Sequence, residues 1–158
     1  MKLLNLAAVC AALLIPVGGL SAAVAAEPFF LGTWKFTAGV AAPWADAQRR
    51  GDTRERSRLL GRAVVFKAGA IAGPEPFACK EPHYKVSHFP ADMIFQGAFD
   101  EMRSKNRSAN PNKLAASLGF SAGPIQTLEA GCEIDFHFVN PATAEVALND
   151  YIYTLKKQ

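Results

Sequence analysis

From Cys132 to Lys156 the chain alternates apolar and polar residues in three successive runs, each ended by a turn signal. Cys132, Ile134, Phe136 and Phe138 fall on one side, and Glu133, Asp135 and His137 on the other. Asn140-Pro141 turns the chain, Ala144, Val146 and Leu148 form the next apolar face, Asn149-Asp150 turns it again, and Tyr151–Lys156 closes the meander. Successive side chains of a strand point to opposite faces, so a period of two marks half-buried strands and does not suit a helix. The last third is therefore an antiparallel meander.

The same period appears upstream. In Gly32–Thr37, Trp34 and Phe36 oppose Thr33, Lys35 and Thr37, and Arg62–Lys67 with Ala70–Ile71 reads as a hairpin through Gly69. Pro82 has no N–H to give a ladder, so the stretch Phe77–Phe89 is expected at an edge or to carry a bulge. Two segments carry helical spacing instead. Pro90–Met102 places Ile94, Phe95, Ala98, Phe99 and Met102 on one face, and Asn110-Pro111 is a cap followed by proline, opening a helix over 111–118 that Gly119 ends. Asp46–Arg58 is either a short helix or a loop, and Arg103–Asn110 is a basic loop. The expectation is one mainly β domain, a small antiparallel barrel or strongly curved sheet of about seven or eight strands with a helical insertion.

The first 26 residues read as a removable secretory signal. Lys2 gives a positive start, Leu3–Leu20 is an apolar run, and small residues follow, with cleavage placed after Ala26. The rival, a membrane anchor, has against it Pro16, Gly18-Gly19 and the lack of a basic stop-transfer cluster. A signal peptide at 1–26 leaves a domain at 27–158 and a periplasmic or secreted product with no further membrane span.

That product keeps Cys79 and Cys132, and in an oxidising compartment these two are expected to form a disulfide that, with Cys132 on the apolar face, ties the meander to the Cys79 strand across the core; service as metal thiolates is the competing use. Loss of Lys2 takes the formal charge from +3 to +2, too little for the concentrated basic face that nucleic-acid binding needs. Arg49, Arg50, Arg54, Arg56 and Arg58 are interspersed with Asp46, Asp52 and Glu55, the pattern of a solvated segment.

Leu31-Gly32-Thr33-Trp34 resembles the G-x-W motif that opens the first strand of lipocalins and related calycin barrels. The resemblance implies that Trp34 packs across a closed barrel end beneath a basic residue after the last strand, a place for Lys156 or Lys157. One disulfide suits such a barrel as well. A helical insertion in mid-barrel departs from the family, whose helix follows the last strand.

Three constellations suggest chemistry. Gly119-Phe120-Ser121-Ala122-Gly123 matches G-x-S-x-G, with Asp135 and His137 following in hydrolase order, but the elbow needs a strand before its serine and a helix after it. Here the order is reversed, and Gly119 is better read as a helix cap. Asp135 and His137, with Glu133, form a polar row that either recruits a divalent ion or is a solvated sheet face. Trp44, on a loop leaving the first strand, either lines a ligand cavity or covers the edge of the core.

The leading expectation is a non-enzymatic exported protein, without cofactor, that holds a small apolar or amphipathic ligand in a lipocalin-like barrel; Trp44, Phe77, Tyr84 and Phe136 are the candidate ligand-binding residues. One alternative is an interaction module, such as an inhibitor of a cell-wall or proteolytic enzyme, docking through Arg103–Asn110 or Asp46–Arg58. Another is a metal protein using Asp135 and His137. A well-packed interior without a cavity would overturn the barrel-carrier expectation, and a filled core with a protruding loop is what the interaction module predicts.

Overall fold

The computed structural model describes residues 27–46 and 53–158, so the signal peptide expected at 1–26 and much of the Asp46–Arg58 segment lie outside the described residues. Nine strands form one sheet: β1 (Gly32–Ala41), β2 (Ala63–Lys67), β3 (Ala70–Ala72), β4 (Cys79–Lys80), β5 (Lys85–Phe89), β6 (Ile125–Glu129), β7 (Phe136–Asn140), β8 (Thr143–Leu148) and β9 (Tyr151–Lys157). Their spatial order is β4-β3-β2-β1-β9-β8-β7-β6-β5, antiparallel throughout, and the sheet curls strongly into a half-barrel. Among the described residues three short helices accompany it: α1 (Thr53–Leu59), α2 (Ile94–Lys105) and α3 (Pro111–Ser117).

The stretch Phe77–Phe89 does more than sit at an edge. It breaks at Glu81-Pro82 into β4 and β5, which occupy the two opposite edges of the sheet. Proline has no N–H to donate, and Glu81 takes a positive φ of 54°, so pairing stops there. The ends of the sheet are then linked by other means. The Tyr84 hydroxyl donates to Lys67 O at 2.9 Å, and His83 N–H donates to Ala130 O at 2.8 Å. Cys79 and Cys132 pair at disulfide-bonding distance, with 6.4 Å between their Cα atoms.

The concave face is filled with rings. Trp34, Phe36, Phe66, Phe77, Phe136, Phe138 and Tyr153 are all buried there. Ring centroids lie 4.9 Å apart for Phe36–Phe77, 4.8 Å for Phe66–Phe136 and 5.5 Å for Trp34–Phe138. On the convex face a second apolar cluster joins Ile94, Phe95 and Phe99 of α2, Ala115 of α3 and Phe120 to Ile125 and Ile152 of the sheet.

Three expectations need correction. β7 begins at Phe136, so Cys132 lies exposed in the β6–β7 loop; its bond ties that loop to edge strand β4 and does not cross the core. α2 contains a left-handed interruption at Phe95–Gly97 inside the segment that periodicity assigns to one helix. His137 lies on the face opposite Phe136 and Phe138, as alternation requires, but that face is not wet there: the helices cover it and leave His137 only 3% exposed. By contrast α3 starts as expected, the Asn110 side chain accepting from Lys113 N–H at 3.1 Å with Pro111 next, and ends at Gly119 with φ 92°.

Candidate functional site

The interruption in α2 is the most unusual piece of backbone in the described residues. Phe95 (φ 51°, ψ 44°), Gln96 (58°, 33°) and Gly97 (79°, 13°) form three consecutive left-handed residues. Glycine enters this region freely, whereas each residue with a Cβ pays about 1–2 kcal/mol. Such strain persists only where surroundings enforce it, and it gathers at functional sites.

Here the enforcing contacts are specific. Phe95 N–H donates to His137 Nε2 at 2.9 Å, and Gln96 Nε2 donates to Glu133 O at 3.0 Å. The Phe95 ring meets the His137 ring edge-on at 4.8 Å and also packs against Trp44 (5.8 Å), Phe99 (5.5 Å) and Phe120 (6.4 Å).

His137 belongs to a polar row laid across the convex face. Strand register sets Ser87, Thr127, His137, Glu145 and Thr154 opposite one another on β5, β6, β7, β8 and β9. The hydrogen bonds settle the histidine's tautomer. Because Nε2 accepts a backbone N–H it carries no proton; Nδ1 is therefore protonated and donates to Thr127 Oγ1 at 2.8 Å. Burial depresses the His137 pKa from 6.5 to about 3, so the ring is neutral at ordinary pH. Burial acts on its neighbour in the opposite sense: the Glu145 carboxyl, which accepts the Thr154 hydroxyl at 3.0 Å, is pushed up to about 7. Asp135 is raised as well, by burial first and by Glu129 second.

The left-handed turn is also a partition. On one side lies a cleft of about 590 Å³ between the Trp44 loop and α2, on the other a cleft of about 440 Å³ over β7, and Phe95, Gln96, Ala147 and Asn149 line both. The larger cleft is floored by Trp44, Phe95, Ala98 and Met102 and rimmed by Gln96, Asn106 and Asn149, with Glu101 and Lys105 as its charged pair. Trp44 is fixed in place by donating Nε1–H to Asn149 O at 3.1 Å. The smaller cleft includes Glu133, Asp135 and His137.

No protein-family model, curated protein or solved structure matches this chain. The reading of its site therefore rests on its own geometry.

The residues expected to bind ligand are not all together. Phe77 and Phe136 are deep in the concave core, their rings 6.4 Å apart, and Tyr84 packs beside them against Phe66. Trp44 stands apart, on the convex side, in the larger cleft. Of the two candidate lysines, Lys157 places its Nζ 5.8 Å from the Trp34 ring centre and bonds Phe29 O, while Lys156 bonds Thr143 Oγ1 at 2.7 Å on the other face. Ser121 is exposed beyond α3, and both ring nitrogens of His137 are already engaged. Among the described residues no three His, Cys, Asp or Glu side chains converge to hold a metal ion.

Sequence reasoning missed Phe95, Gln96, Thr127, Glu145 and Asn149 as site residues. One signal was present. Gly97 interrupts a helical pattern, and an isolated glycine there marks a place where backbone freedom is used.

Proposed function

We propose that this chain is an exported, non-enzymatic binding protein that takes a small, uncharged amphipathic molecule in the cleft between Trp44 and α2. The observation that carries the reading is the make-up of that cleft. An aromatic and thioether floor meets a rim of carboxamides, and its two charged side chains, Lys105 and Glu101, neutralise each other at 2.5 Å. Apolar walls with a few convergent polar groups are the usual form of a small-molecule site, and here no net charge calls for a charged ligand.

The lipocalin resemblance enters the proposal in altered form. Trp34 beneath a lysine at the end of the last strand supports it, the lysine being Lys157 of the two expected there. The concave face, where a lipocalin would hold its ligand, is occupied by Trp34 and the phenylalanines. The binding place therefore moves to the convex side. Export is supported by the Cys79–Cys132 pair; among the described residues no helix is long and apolar enough to cross a membrane.

The test is titration with N-phenyl-1-naphthylamine, an uncharged dye that brightens in apolar surroundings. Wild type should bind it, Trp44→Ala should weaken binding at least tenfold, and Phe77→Leu should leave it unchanged. Equal binding by the Trp44 variant would reject the cleft. A second reading, a module that docks on another protein, is favoured by one feature: β5 is an edge strand with Val86 exposed, the arrangement that accepts an added strand. It predicts no dye binding by wild type.

A further inference from the structure

We propose that His137 is an acid-released latch for the convex clefts: while neutral it accepts the Phe95 N–H and holds the left-handed turn closed, and its protonation lets the turn go. The consequence for ligand rests on the cleft reading above. The latch itself does not.

The argument starts from one hydrogen bond. Phe95 N–H points at His137 Nε2 from 2.9 Å, and Nδ1 is already committed to Thr127. A proton added to the ring must go to Nε2, where it would face another N–H. The bond is then lost and two donors confront each other. What it held in place is strained: Phe95 and Gln96 both carry a Cβ in the left-handed region, so the turn has stored energy to release. What it controls is the partition, since Phe95 and Gln96 line both clefts.

The charged groups around the ring do not rescue a protonated state. Glu145 faces it from β8, but its carboxyl is itself protonated below about pH 7. Asp135 and Glu133, both in the loop before β7, line the smaller cleft with His137, while Glu129 lies on β6 beside Asp135. From α2 the contact is the uncharged Phe95 ring, and from β6 the Thr127 hydroxyl.

The sign follows from linkage. The closed ring titrates at about 3, and a ring released to water returns to its ordinary 6.5. Between those values the open form binds the extra proton, so acid favours opening, by about tenfold per pH unit well below 6.5 and by about 50-fold in all between pH 6.5 and 4.5. Ligand is thus held near neutrality and let go in acid.

Amide hydrogen exchange on the full domain tests this without any ligand. After correction for the intrinsic rate, protection of the Phe95 amide should fall about 50-fold from pH 6.5 to 4.5, while the Phe36 amide, bonded to Arg62 O, changes little. His137→Gln supplies a carboxamide oxygen that accepts the same N–H and does not titrate, so its Phe95 amide should stay protected at both pH values. Nitrogen-15 shifts of the wild-type ring give a readout independent of any variant: protonation of His137 and loss of the Phe95 bond should coincide. A pH-independent Phe95 amide in wild type, or a Gln variant as acid-sensitive as wild type, would overturn the latch. Failure of the naphthylamine dye to bind, with the exchange result intact, would remove the cleft reading and leave the latch standing.

Discussion

His137 and Glu145 sit opposite each other on β7 and β8, and burial drives both towards their neutral forms. Their contributions to stability therefore run in opposite directions. His137, depressed from 6.5 to about 3, favours folding fully above pH 6.5 and loses that contribution as pH falls towards 3. Glu145, raised from 4.5 to about 7, favours folding fully below pH 4.5 and loses that contribution as pH rises to about 7. Between pH 4.5 and 6.5 the two slopes oppose. Unfolding free energy of wild type, from urea titrations, should vary little across that window. Glu145→Gln removes one slope, and its stability should then fall with acid by about 1.4 kcal/mol per pH unit; His137→Gln should instead gain as pH drops. Parallel profiles for all three proteins would contradict the assignment. Sequence named His137 but placed it on a wet face, and it passed over Glu145, because alternation tells which face a residue takes and not what will cover that face.

Among the elements, those legible in the sequence are the ones whose signals are local. The Asn149-Asp150 turn between β8 and β9 and the Asn110-Pro111 start of α3 fall where turn and cap chemistry put them. The left-handed turn in α2 does not, because Phe95 and Gln96 have no intrinsic reason to leave the right-handed region. A histidine 42 residues further along the chain holds them there. The Cys79–Cys132 pair works at the same scale. It fastens two-residue strand β4, which has little pairing of its own, to the β6–β7 loop across a separation of 53 residues. Replacing both cysteines by serine should cost about 4 kcal/mol if the cross-link acts by restricting the unfolded chain. Chemical denaturation under non-reducing conditions checks this, and an unchanged midpoint would mean that the edge is held by Tyr84 and His83 alone.

At the scale of the whole molecule, an antiparallel, strongly curved sheet with a helical insertion could be read from period and punctuation. The number and closure of its strands could not. Nine strands form an open half-barrel because Pro82 and Glu81 stop the chain from running on as one strand, sending β4 and β5 to opposite edges. The same curvature fills the concave side with rings and leaves the convex side, under α2, as the place with room. The two tryptophans divide between these sides, Trp34 in the concave core and Trp44 in the convex cleft, so each reports on one candidate binding place. Fluorine NMR of the protein labelled with 5-fluorotryptophan, titrated with N-phenyl-1-naphthylamine, should move the Trp44 resonance and leave that of Trp34 in place. Movement of Trp34 with Trp44 unchanged would put the ligand inside the half-barrel and contradict the account.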